Sequence, residues 1–285
     1  MGKTEGFPLK ALRKGLLVLV LGWAVPALAD ANCTALVPWG APAIQNPGLL
    51  SSVIPICRTQ YTLVFNPTTR TPVWVAEYIT LKMITGREPR SAKFFEDPAL
   101  PPAARSHMKD YSRSGYDMGH MAPAADFVGD AQQILESFYL SNIVPQVGKD
   151  FNRGVWMRLE QWVRKCVRQR GPLLVVTGPI YANGQPLEWI PKKDETASET
   201  KRTVRKAGYQ RVAVPTHLFK VITDPKRMES VAFVMPNQAH PRKEYAEFAV
   251  PVNNVEAWTG LNFHPALPPA QAAPLEAQTK VWNCK

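Results

Sequence analysis

Hydrophobic and polar positions along this 285-residue chain fall into patterns that separate strands from helices. Val73 to Leu81 (VWVAEYITL) is rich in β-branched and aromatic residues and predicts a strand. Leu173 to Thr177 (LLVVT) is a continuous apolar run, as expected of a buried strand, and Arg211 to Val214, Leu218 to Thr223 and Val231 to Met235 predict three more. Asp130-Ala131-Gln132-Gln133 has the form of a capping box, and Ile134 and Phe138 share a face beyond it, so a helix is expected to reach about Leu140. The strongest helical pattern runs from about Arg153 to Arg168. There Val155, Trp156, Leu159, Trp162, Val163, Cys166 and Val167 make one apolar stripe. Thr85 to Arg105 and Gln185 to Gly208 are polar, and the second reads as an exposed loop. The tail from Pro265 to Pro274 is rich in Pro and Ala and reads as extended, with Val281-Trp282-Asn283-Cys284 available to dock. No repeat and no long linker divides the chain. The expected fold is α+β, a single domain with antiparallel sheet and more strands than helices.

Composition adds a compartment and a class of partner. Lys3, Lys10, Arg13 and Lys14, an apolar run from Gly15 to Val25, and Ala27-Leu28-Ala29 have the form of a secretory signal peptide over residues 1–29. Its apolar run is short for a spanning helix. The expected mature domain is then 30–285, periplasmic or secreted, with no membrane attachment after cleavage. Losing four basic residues and one acid lowers the net charge from +11 to +8, which still favours polyanions. Cys33, Cys57, Cys166 and Cys284 suit two disulfides in an oxidising compartment. Of the three possible pairings, Cys33–Cys57 (a local loop) and Cys166–Cys284 (pinning the tail to a helix) are favoured. No Cys-x-x-Cys is present, which argues against structural zinc.

Two dense stretches carry the candidate chemistry: SGYDMGHMAPAAD from Ser114 to Asp126, and SNIVPQVGKDFNRGVWMRLE from Ser141 to Glu160. Hydrolysis of a phosphodiester needs an activated water, charge stabilisation at phosphorus and help for the leaving oxygen. His120 is a candidate general base, and Asp117 would either orient its ring or hold the turn that Gly119 permits. A magnesium ion takes oxygen ligands and keeps most of its waters, so the amide oxygen of Asn152 is a sufficient protein ligand. Glu160 and Arg164 lie along one edge of the helical stripe, and Asn152 falls roughly 80° from Glu160 on the same wheel. Arg164 and Arg90 suit bidentate contacts to phosphate. Read singly, each residue has an ordinary explanation: an N-cap for Asn152, a turn for Asn142, a surface ion pair for Glu160 and Arg164. His107, His217, His240 and His264 read as structural or solvated.

Their joint order resembles the DNA/RNA non-specific endonucleases of the ββα-metal (His-metal finger) superfamily, endonuclease G-like. The family's Asp-Arg-Gly-His-x-Ala-Pro appears as Asp117 to Pro123, its Ser-Asn-x-x-Pro-Gln as Ser141 to Gln146, and its Asn-x-x-x-Trp-x-x-Leu-Glu as Asn152 to Glu160. Weaker likeness continues through Val175 to Pro179, Val214 to His217 and Thr259 to Leu261. The resemblance implies a finger of two strands and the helix near Asn152, and hydrolysis of DNA and RNA to 5′-phosphate products. It also implies roles: His120 as general base, Asn152 as the direct ligand to Mg²⁺ (Mn²⁺ as the alternative), and Glu160 holding the metal's water shell. Asn142 matches an asparagine near the active centre. Arg164 matches a phosphate-binding arginine, and Arg90 another, with Arg87 as its rival. Beyond the resemblance, a monomer or homodimer is expected, with DNA and RNA as substrates and an unidentified inhibitor protein as a further partner. Met118 stands where the family usually has arginine. Two other readings stay open at this level: an exported nucleic-acid-binding protein on a degenerate nuclease fold, and a basic periplasmic protein that binds anionic glycans or lipids.

Overall fold

The structure, a computed structural model, describes residues 31–90, 93–182, 187–190 and 211–284. The expected signal peptide, 1–29, and most of the polar 185–208 segment lie outside the described residues. In chain order the strands are β1 (Ala43–Ile44), β2 (Ile54–Cys57), β3 (Tyr61–Asn66), β4 (Thr71–Ile79), β5 (Tyr116–His120) and β6 (Ile143–Val147). They continue with β7 (Leu173–Ile180), β8 (Glu188–Ile190), β9 (Val212–Val214), β10 (His217–Asp224), β11 (Glu229–Pro236), β12 (Ala249–Val250) and β13 (Leu261–Asn262). The helices are α1 (Ala31–Ala35), α2 (Pro47–Leu50), α3 (Met108–Tyr111), α4 (Ala131–Ser137), α5 (Met157–Arg170), α6 (Val252–Thr259) and α7 (Pro269–Glu276). Among the described residues no helix is long and apolar enough to cross a membrane.

Seven strands form the central sheet in the order β12-β11-β10-β7-β4-β3-β2, with every neighbouring pair antiparallel. Both of its faces are covered, which is why β7 is buried at all eight positions and apolar except at Thr177. Leu173 and Val175 pack on one face with the α5 stripe; Leu174 and Val176 pack on the other with Val252 and Val255 of α6. The separate ribbon β5–β6 lies beside the α5 face, and β8–β9 forms a second small ribbon.

Several expected boundaries shift for identifiable reasons. The helix capped by Asp130, whose carboxylate accepts from the Gln133 N–H at 3.0 Å, ends at Ser137, short of Leu140. Phe138 leaves helical geometry there, and Leu140–Asn142 form a 3₁₀ turn. The expected Arg153–Arg168 helix is regular only over Met157–Arg170, because Arg153 and Gly154 have non-helical backbone angles. The Pro/Ala tail is not extended: Pro269–Glu276 is α7, with a proline in the first turn, where its missing N–H costs nothing. Glu188–Ile190, inside the segment expected to be a loop, pairs with β9.

Both favoured disulfides form, Cys33–Cys57 and Cys166–Cys284. The second brings Trp282 onto α5, where its carbonyl accepts from Trp162 Nε1 at 3.2 Å and Arg170 lies 4.1 Å over its ring. The two bridges close loops of sequence separation 24 and 118. Chain entropy then predicts that a Cys166→Ser/Cys284→Ser variant loses about 1.4 kcal/mol more than Cys33→Ser/Cys57→Ser in denaturant unfolding. Equal losses, or the reverse order, would show that the tail contributes no more than local clamping.

Candidate active site

The β5–β6 register pairs His120 with Ile143, Gly119 with Val144 and Asp117 with Gln146. Gly119 is required by that ribbon: a Cβ there would lie 2.1 Å from the Gln146 side chain. His120 closes β5 and is buried, its ring T-shaped on Phe138 at 4.9 Å and tilted on Phe94 at 5.4 Å. Its Nε2 is sealed from solvent without a partner, so Nδ1 is the nitrogen able to meet water from the adjoining cavity. Burial, reinforced by the positive charge of Arg90, lowers its pKa to about 3. The imidazole is therefore neutral and a proton acceptor at neutral pH.

Asp117 does neither of the things expected of it. Residues three apart on a strand point to opposite faces, so its carboxylate turns away from His120. It holds Asn152 instead, accepting from Nδ2 at 2.9 Å, and pairs with Arg153 Nε at 3.2 Å. Asn152 does not belong to a regular helix, so the helical-wheel placement fails. It projects from the irregular Gly148–Trp156 segment, in which Asp150 adopts a positive φ of 61°. With Nδ2 tethered, Oδ1 is the open end of the amide. Glu160 and Arg164 sit one turn apart on α5, as the periodicity predicts.

One cavity of about 690 Å³ brings Arg90, His120, Asn152, Glu160 and Arg164 together. Arg90 reaches it across the Phe138 ring, 5.3 Å from the ring centre, whereas Arg87 does not line it. None of His107, His217, His240 and His264 lines it either. Asn142 requires a correction: it is fully buried and lies outside the cavity. Its Oδ1 accepts from the Ala122 N–H at 2.9 Å, and its Nδ2 donates to the Ala122 and Ser137 carbonyls, each at 2.9 Å. Every polar atom of that amide is used to clamp the chain just past His120, so Asn142 is a positioning residue.

The sequence reading missed a buried charge cluster beneath the cavity. Asp126 accepts from Arg164 Nη1 at 2.7 Å. Glu77 of β4 and Lys220 of β10 occupy the sheet face under α5, and Lys220 Nζ donates to Thr177 Oγ1 at 2.6 Å. Both Glu77 oxygens are buried without a hydrogen-bond partner, and burial raises its pKa well above the ordinary value. Burial also pushes Glu160 up to about 7; Lys220, Arg164 and Arg90 oppose this while Asp126 adds to it. Three carboxylates, Glu77, Asp126 and Glu160, thus share this layer with the cations Lys220, Arg164 and Arg90. Among the described residues no group of three His, Cys, Asp or Glu is spaced to hold a metal ion. A divalent ion at this site would rest on Asn152 Oδ1 and its own waters, with Glu160 as the nearby carboxylate, and the donors present fit that arrangement. The polar breaks in otherwise apolar strands, Glu77 and Lys220, were the available clue to the cluster.

Similar proteins are nucleases. The chain is 35% identical over 240 residues to a mitochondrial nuclease of Saccharomyces cerevisiae, covering 80% of this chain and 70% of that protein. It is 38% identical over 226 residues to the mitochondrial nuclease EXOG of Danio rerio, covering 76% and 62%. It is 39% identical over 214 residues to nuclease C1 of Cunninghamella echinulata var. echinulata, covering 72% and 81%. Its fold matches a chain in the crystal structure of the EndoG/EndoGI complex with a TM-score of 0.69 and 31% identity, over 85% of this chain and 95% of that one. These comparisons overturn the expected periplasmic or secreted location, because the relatives in S. cerevisiae, D. rerio, Schizosaccharomyces pombe and Homo sapiens are mitochondrial nucleases. A basic, acid-poor leader with an apolar core is not diagnostic of secretion, since organelle-targeting segments share the basic, acid-poor character. The sequence model of the DNA/RNA non-specific endonucleases matches residues 40–270, so the chain belongs to that family and is an endonuclease.

Proposed function

We propose that this endonuclease hydrolyses phosphodiesters of both DNA and RNA without regard to sugar, leaving 5′-phosphate ends, with Mg²⁺ as its metal and Mn²⁺ as a substitute. The observation that carries the reading is the convergence of a neutral buried histidine, a tethered amide, a carboxylate and two arginines on one cavity. His120 Nδ1 accepts the proton of the attacking water. Asn152 Oδ1 would hold the metal, with the Glu160 carboxylate supporting it from the same cavity. When bound, the metal supplies Lewis-acid stabilisation of charge on the phosphate and leaving oxygens. Arg164, oriented by Asp126, and Arg90, steered by Phe138, grip the scissile or neighbouring phosphate through charge-assisted hydrogen bonds. The net charge of +11 supports capture of the polyanion. The similar fold solved with EndoGI comes from a study of EndoG inhibition, and we extend the idea of an inhibitor protein to this chain.

Supercoiled plasmid, single-stranded DNA and RNA incubated with Mg²⁺ should all be cut, and EDTA should abolish cutting of all three. Cleavage that survives EDTA would refute the metal assignment. Cleavage of DNA alone would refute the indifference to sugar.

A further inference from the structure

Asn152 is held on one side by Asp117, but the segment that carries it has little regular structure of its own. Between Gly148 and Trp156, the residues Lys149, Asp150, Arg153 and Gly154 all depart from helical backbone angles. Such a segment takes its course from the groups packed around it. The turn that follows β11 supplies them. Asn237, the first residue after β11, is half-buried and does not line the cavity. Its Oδ1 accepts from the Val147 N–H at 2.9 Å, and its Nδ2 donates to the carbonyls of Pro145 and Pro215, each at 3.0 Å. Its own N–H donates to the Thr216 carbonyl at 2.8 Å. Backbone groups two residues apart on a strand point to the same edge, so Asn237 covers the edge of β6 that β5 leaves open. Its amide pairs with β6 as a third strand's peptide group would, and ties the ribbon to the connection between β9 and β10.

Three residues on, His240 reaches the middle of the same segment. Its N–H donates to the Asp150 carbonyl at 3.3 Å, and its ring lies 6.0 Å from Phe151 and 4.8 Å from Phe248. Its Nε2 donates to the Pro236 carbonyl at 2.9 Å, which fixes the ring across the turn. Phe151, the residue before Asn152, is fully buried. We infer that Asn237, seconded by His240, is a positioning residue for the metal: the turn after β11 braces the chain from Val147 to Phe151 and so sets where the Asn152 amide oxygen lies. The inference rests on the reading of Asn152 as the metal's protein ligand and adds the element that aims it. Asn237 lies outside the cavity, so its loss should appear in metal affinity and not in KM for nucleic acid.

The test compares the full chain with Asn237→Ala and with Asn237→Asp, which keeps the shape and the Val147 contact but loses both donors. Hydrogen–deuterium exchange in Asn237→Ala should rise about tenfold over residues 147–156 and stay within about twofold in β7 and β10, because losing a local brace opens its own unit. The Mn²⁺ dissociation constant, followed by the electron paramagnetic resonance of the free ion, should rise about tenfold, the lower end for loss of a group that orients a metal ligand. Asn237→Asp should shift both in the same direction by less, and it carries the test if the alanine variant does not fold. KM for a DNA oligonucleotide at saturating metal should stay within about twofold of wild type, as should the Mn²⁺ constant of Cys33→Ser/Cys57→Ser, which is weakened on the far side of the sheet. Unchanged exchange over 147–156 overturns the inference. So does faster exchange with unchanged Mn²⁺ affinity, where Asn152→Ala does weaken binding. If Asn152→Ala leaves Mn²⁺ binding intact, the metal reading alone fails, and faster exchange over 147–156 still supports the brace.

Discussion

His120→Ala should lower kcat about 10²- to 10⁴-fold on every substrate, the range for loss of a positioned general base. The His120 ring is held between Phe94 and Phe138, and Asn142 fixes the backbone just beyond it through Ala122. Burial and the Arg90 charge lower its pKa to about 3, against an ordinary 6.5. The neutral form then predominates at every pH above that value, so the loss in the variant should be constant from pH 6 to 9. The same shift has a cost in acid. An unfolded chain takes up the His120 proton near pH 6.5 while the folded one resists it to about 3, so stability falls as pH drops through that window. Rates measured across pH, with thermal unfolding as a check on folding, decide the matter. A loss below tenfold would remove His120 from the role of base.

The second large effect is structural. Lys220 is 1% exposed, bonded to Thr177 and 5.3 Å over the Trp156 ring, and it faces the carboxylates of Glu77, Asp126 and Glu160. Lys220→Met keeps the bulk and removes one cation from the buried layer, leaving Arg164 as the cation bonded to Asp126 and stripping Glu77 and Glu160 of a buried counter-charge. Removing one partner of a buried charge cluster costs about 3–5 kcal/mol, whereas replacing both is nearly neutral. Urea unfolding should therefore show a loss of that size for Lys220→Met and a substantial recovery in Lys220→Met/Glu77→Gln. Additive losses in the double variant would mean that the two residues do not interact. Because Arg164 and Glu160 share the cluster, Lys220→Met should also reduce activity in the protein that remains folded.

Much of this protein was legible in its sequence, because local rules act over short distances. The β4, β7, β10 and β11 segments announced themselves by apolar content, and the α5 stripe by helical period, which also placed Glu160 and Arg164 one turn apart. The spacing of His120, Asn152 and Glu160 carried the family resemblance, and the number of cysteines suggested two bridges. Other features depended on contacts between distant segments. Asn152 is aimed by a break at Arg153 and Gly154 and by a bond to Asp117, neither of which a helical wheel contains. Asn142 looked like a site residue because it neighbours the site in sequence pattern, yet its amide is consumed by backbone groups that only folding brings near. Glu77, Asp126, Lys220 and Arg164 lie far apart along the chain, and their charges met only when β4, β10, the turn at Asp126 and α5 were packed together. Sequence determined most of the elements that form and which side chains are candidates for the chemistry, because propensity and periodicity are local. Tertiary structure decided which side chains face the cavity and what charge they hold there, because burial and electrostatic partners belong to the packed molecule.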